Sequence, residues 1–146
     1  VWAFPGDQAA ASMDALVSAI RANRKALVAV NLELTDREAA GFWTVYDRYQ
    51  QEINAIGDRL VDVIRDYSES FDTLTDDKAM KLIEAYLAVE VDRVAVRRNY
   101  LDAFSRTLPG RKLARLYQIE NKMDAVLRYE LAAAIPVVEE KSGAAQ

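Results

Sequence analysis

The sequence predicts an all-α protein, a long antiparallel helical hairpin braced by two shorter helices, and three observations predict it. Phe42, Tyr46, Tyr49, Ile53, Ile56, Leu60 and Val63 follow one another at alternating steps of four and three. That is a seven-residue repeat, the seam of a helix that needs a partner helix to cover it. The chain of 146 residues holds only 5 Gly and 3 Pro, so turns are few and elements long. Two helix starts are also written locally, Leu34-Thr35-Asp36-Arg37-Glu38 and Leu74-Thr75-Asp76-Asp77. In the first, Thr35 caps the opening turn while Glu38 reaches back to the Thr35 N–H. In the second, Thr75 caps and two aspartates meet the positive end of the helix dipole.

Taken in order, residues 1–6 read as irregular. Asp7 caps a first helix running to about Val30, with Met13, Leu16, Val17, Ile20 and Leu27 on one face. Asn31 to Leu34 breaks that pattern and leads into the long second helix, which ends near Ser70 to Thr73. Inside it Gly57 costs about 1 kcal/mol relative to Ala, and reads either as a tolerated glycine or as a bend or close helix approach. The third helix runs from Thr75 to about Thr107, with Leu82, Ile83, Tyr86, Leu87, Val94, Leu101 and Phe104 as its apolar side. Folding at the turn places Phe42 near Phe104 and Tyr49 near Arg98, and gathers aspartates 58, 62, 66, 72, 76 and 77 at one acidic tip. Leu108-Pro109-Gly110 makes the next break, because Pro suits a first helical position and not an interior one. A fourth helix follows to about Ala134, with Leu113, Leu116, Met123, Val126 and Leu127 inward, and stops at Pro136. The domain reading is one helical domain over residues 7–135 and a small, polar, disordered tail over 136–146.

Composition bounds the chemistry. With 51% hydrophobic and 29% charged residues, the chain is an ordinary globular one, long enough for a real core. It has no Cys and no His. That excludes thiol nucleophiles, Cys/His zinc sites, Ser-His-Asp systems and the Glu-x-x-His pairs of four-helix di-iron proteins. The reading is therefore non-enzymatic, with no catalytic residue, metal or cofactor. No apolar run approaches the ~18 residues of a membrane span, and Val1 to Gly6 is too short and lacks the basic residues of a complete signal peptide.

Charge is split along the chain. Residues 33–92 carry 15 acidic and 6 basic side chains, whereas residues 93–128 carry 9 basic and 3 acidic. The basic run Arg93, Arg97, Arg98, Arg106, Arg111, Lys112 and Arg115 is no nucleic-acid site by this reading, since the whole chain has a pI of about 4.9 and no nucleic-acid motif. Self-complementarity is more economical: the acidic tip of one hairpin on the basic region of another, giving an antiparallel homodimer. Simple solvated charge is the plain alternative. Glu90, Arg97, Arg98 and Glu120 fall in or beside apolar stripes and read as a charge network fixing helix register. The aromatics Phe42, Tyr46 and Tyr49 read as core, while Trp43, one step off their stripe, is the best candidate for a second interface. Arg97, Arg98, Tyr100, Phe104, Arg111 and Arg115 make up a basic-aromatic face suited to weak mixed contacts with flexible, partly unfolded chains.

With those elements in place the chain resembles the Spy/CpxP family of periplasmic proteins, marked by two Leu-Thr-x-x-Gln motifs flanking a long helical hairpin. Leu34-Thr35-Asp36-Arg37-Glu38 is similar to the first motif with Glu for Gln, and Leu108-Pro109-Gly110-Arg111-Lys112 stands where the second belongs, with Pro for Thr and Lys for Gln. Leu74-Thr75 is an extra start between them, and the likeness covers roughly residues 31–131. The resemblance implies a periplasmic protein, a curved antiparallel dimer, and ATP-independent chaperone (holdase) or envelope-stress work on partly unfolded clients. The alternative expectation is a regulatory or structural protein binding one specific envelope partner. Metal-sensing relatives use His and Cys or Met ligands, and the lack of His and Cys disfavours that branch.

Overall fold

A computed structural model describes residues 7–140. Residues 1–6 and 141–146, which the sequence reads as irregular or tail, lie outside the described residues, as do the side chains of Met13, Leu16 and Val17. All regular structure described is helical: α1 (Asp7–Leu32), α2 (Asp36–Ser70), a 3-10 turn (Phe71–Thr73), α3 (Asp76–Ser105) and α4 (Gly110–Ala134). By packing, the chain divides into two compact units, one of Val1–Ala40 with Leu108–Ala134, the other of Gly41–Thr107 with Ile135–Gln146.

In the first unit α1 and α4 run antiparallel. Arg21 meets Glu130 at 3.5 Å, Arg24 meets Asp124 at 2.8 Å, and Arg115 Nε donates to the Asn31 carbonyl at 2.7 Å. Between the helices lie Ile20, Val28, Leu32, Leu116 and Met123, all buried. Burying such side chains contributes about 1.5–3 kcal/mol each. α1 is broken at Asn23, whose backbone is non-helical (φ −155°, ψ 61°). Asn23 Oδ1 accepts the Ala26 N–H at 3.1 Å, so Asn23 is the N-cap of a second helical segment.

α1 stops because Glu33 takes the left-handed conformation (φ 54°), a position where glycine costs less. Its carbonyl accepts from Lys112 Nζ at 3.0 Å. The α2 start is a reciprocal capping box: the Thr35 N–H donates to Glu38 Oε2 at 3.3 Å, and the Glu38 N–H donates to Thr35 Oγ1 at 3.2 Å. Such a cap contributes about 1 kcal/mol. α3 opens in the same way, the Lys78 N–H donating to Thr75 Oγ1 at 3.2 Å.

The second unit is the hairpin of α2 and α3. Phe42, Tyr46 and Phe104 are fully buried. Phe104 lies 5.7 Å from Phe42 and 5.4 Å from Tyr49, ring centre to ring centre, and the Tyr49 contact is edge-on. Farther along, the helices are tied by polar pairs: Tyr100 OH donates to Glu52 (2.7 Å), Arg59 to Asp92 (2.7 Å) and Lys78 to Asp66 (2.7 Å). The α2 seam is most buried from Phe42 to Ile56; Ile53, Leu60 and Val63 are half-buried. The aromatic base therefore carries the packing. Truncating Phe104 to Ala would cost about 3–5 kcal/mol. After α4, the Pro136 carbonyl accepts from Tyr67 OH at 2.7 Å, so the first residues beyond the helix are tied to the hairpin.

Candidate interaction surfaces

α3 departs from the sequence reading in which face it turns inward. Of the apolar side expected, only Leu82 and Phe104 are buried. Ile83, Tyr86, Leu87, Val94 and Leu101 are 44–58% exposed, and Met80 and Val91 are exposed with them. At 3.6 residues per turn, Leu82, Val89, Arg93, Val96, Tyr100 and Phe104 fall on one side, and Met80, Ile83, Leu87, Val91, Val94 and Leu101 on the other. α3 has two apolar stripes, and the sequence expectation mixed members of both. Met80, Leu87, Val94 and Leu101 stand seven residues apart, a full heptad seam about 32 Å long at 1.5 Å per residue. Scattered single surface hydrophobics need no explanation; an aligned row of six does.

The charges flanking this row change sign along it. Residues 76–92 carry five carboxylates and two lysines; residues 93–106 carry four arginines and one carboxylate. Arg98 is exposed on the same side as the row, whereas Arg97 is half-buried.

The other residues expected at the surface differ in exposure. Phe104 is wholly inside. Tyr100 is half-buried, and its phenol is held above its ordinary pKa, first by burial and then by the hydrogen bond to the Glu52 carboxylate. Trp43 is half-buried against Phe42 (4.8 Å) and edge-on to Tyr46 (5.6 Å), so its ring extends the aromatic base. Arg111 is exposed on α4, and Arg115 holds the last turn of α1.

Glu120 is buried and is bound by Arg24 of α1, whose Nε and Nη2 both donate to Oε2, with Nη2 also bound to Asp124 Oδ1 at 2.8 Å. Burial works against the Arg24 charge, but Glu120 and Asp124 outweigh it and hold the guanidinium above its ordinary pKa. Arg24 escaped the sequence reading, although one signal was present: it stands midway in the gap between Ile20 and Leu27, at an inward position. A second charge cluster closes the capping box, Lys112 Nζ meeting Glu38 Oε2 at 2.7 Å. The Lys112 hydrogen bond pulls the Glu38 carboxyl below its ordinary range, against partial desolvation. Glu90 is half-buried on α3, seven residues from Arg97.

Among the described residues, no group of three or more acidic side chains is placed to hold a metal ion. No helix among them is long and apolar enough to cross a membrane. Compared with known protein families, curated proteins and solved structures, the chain matches none.

Proposed function

We propose that this chain is a non-enzymatic holdase, an ATP-independent chaperone that keeps partly unfolded proteins from aggregating on the outer face of α3. The observation that carries the reading is the row Met80, Ile83, Leu87, Val91, Val94 and Leu101, exposed over several helical turns and flanked by both signs of charge. Apolar side chains on one helix face give a shallow, sequence-tolerant strip, and mixed charges admit client segments of either sign without deep burial. The resemblance of Leu34–Glu38 to the Spy/CpxP motif supports a periplasmic setting.

The resting occupant of the strip in this reading is a second copy. The sign change favours antiparallel pairing, acidic half on basic half. In that arrangement Met80 faces the partner's Leu101 and Leu87 faces the partner's Val94. Because the steering is electrostatic, raising salt weakens the homodimer. A salt-independent monomer by multi-angle light scattering would remove this part of the proposal.

The decisive experiment follows turbidity of two unrelated aggregating clients with near-stoichiometric protein and no ATP. The wild type suppresses both, and Leu87→Ser/Val94→Ser suppresses neither while its helicity stays unchanged, because both positions are more than half exposed. If the wild type suppresses neither client, the strip serves one dedicated envelope partner instead.

A further inference from the structure

Along the α1·α4 pair runs a groove of about 700 Å³, within the size range of small-ligand sites. Its floor is apolar, formed by Leu27 of α1 and Ile119, Met123 and Val126 of α4, and Arg115 and Lys122 stand on its α4 rim. Among the described residues that line it, two are cations and none is a carboxylate, although the chain as a whole has a net charge of −4. Lys122 makes no hydrogen bond or ion pair with any described residue. Arg115 binds the Asn31 carbonyl through Nε. The carboxylates nearest in sequence, Glu120 and Asp124, are turned to Arg24 on the other side of α4 and are not part of the lining.

We propose that this groove is a binding site for a single-chain amphiphile with an anionic head, the alkyl chain lying on Leu27, Ile119, Met123 and Val126 and the head group held by Lys122 and Arg115. Charge complementarity selects the anion, since both rim charges are positive and no acid among the described lining residues offsets them. The dimensions select a chain. From Arg115 to Val126 the groove is about 17 Å long at 1.5 Å per residue. Arg115 and Lys122 are seven residues apart and so share one side of α4, both within reach of one head group at the groove's edge. This site lies wholly within the α1·α4 unit and does not depend on the client reading.

The test is titration calorimetry of the full chain with octanoate, decanoate and dodecanoate, each below its aggregation concentration, and with dodecanol as the neutral control. The expected result is saturable one-to-one binding. Each two-carbon extension tightens it about fourfold, as for methylenes half covered by the groove. Dodecanol binds about tenfold more weakly than dodecanoate. Lys122→Gln, an exposed substitution that leaves the helix intact, lowers dodecanoate affinity about tenfold and leaves dodecanol unchanged. Absence of saturable binding overturns the proposal. So does dodecanoate binding indifferent to chain length or to Lys122→Gln, or binding seen only with an acidic amphipathic peptide.

Discussion

Replacing Arg24 with Met tests the polar centre of the α1·α4 pair. Arg24 is 16% exposed and Glu120 is 1% exposed. The substitution keeps most of the aliphatic stem but takes the guanidinium away from the buried Glu120 carboxylate and from Asp124. Removing one partner of a buried pair costs about 3–5 kcal/mol. Because Arg24 has some access to water, the lower end applies, about 3 kcal/mol, a large part of the stability of a chain this size. Glu120→Met is milder, about 1.5 kcal/mol, because Arg24 keeps Asp124. The double variant Arg24→Met/Glu120→Met removes both charges together and falls within about 1 kcal/mol of the wild type. The cycle then returns a coupling of about 4.5 kcal/mol. Urea unfolding followed by far-UV circular dichroism at pH 7 measures all four proteins. If Arg24→Met loses less than about 1 kcal/mol, or if the two single losses add in the double variant, the pair does not hold the helices as argued.

Two further outcomes follow from local geometry. Gly57→Ala should raise stability by about 0.5–1 kcal/mol, because a Cβ there meets nothing within 4 Å and the helix gains propensity. Gly41→Ala should gain less or lose, because its Cβ would stand 3.2 Å from the Thr107 methyl, and Thr107 Oγ1 is held by the Phe104 carbonyl at 3.0 Å; urea midpoints of the two variants compare them directly. Glu38 has a lowered pKa in the folded chain, so its contribution is complete above the ordinary glutamate value of about 4.3 and is lost as pH falls through the lower folded value. Glu38→Gln should therefore be less stable than the wild type at pH 7, the gap closing in acid; a gap that persists unchanged at low pH would show that the Lys112 pairing is not its source.

What was legible in the sequence was decided over short range. The Thr35–Glu38 box and the Thr75 cap each depend on a side chain and a backbone group three residues apart, and both form. The α2 seam was legible because its aromatic members are apolar on one side only. α3 was not, because apolar residues on opposite sides of a helix give no single preferred face. The half-buried inner positions there include Arg93 and Arg97, which a search for large apolar residues passes over. Arg24 was missed for a related reason: a cation at an inward position is recognisable only once its carboxylate, 96 residues away, is known. The turn at Glu33 has no glycine to announce it. Its left-handed backbone is supported instead by the Lys112 bond to its carbonyl, from a residue far along the chain.

The two-faced character of α3 bears on function more than any single residue does. The hairpin needs only the inner stripe, because the aromatic base at Phe42, Tyr49 and Phe104 and the pairs at Glu52, Arg59 and Asp66 already join α2 to α3. The outer stripe therefore adds nothing to the packing of the hairpin, while exposing it favours association. Its charge pattern tempers that tendency without removing it. Parallel alignment of two copies sets acid on acid and base on base, whereas antiparallel alignment matches each half with its opposite, so the face discriminates among ways of covering itself. Under the proposed holdase reading, an extended client would supply apolar residues and charges without a fixed orientation, and would compete for the strip only when abundant and unfolded. Self-association and client binding are then alternatives for the same side chains. Leu87→Ser/Val94→Ser should lose both together, and a variant that lost dimerisation but kept full client protection would separate the two surfaces.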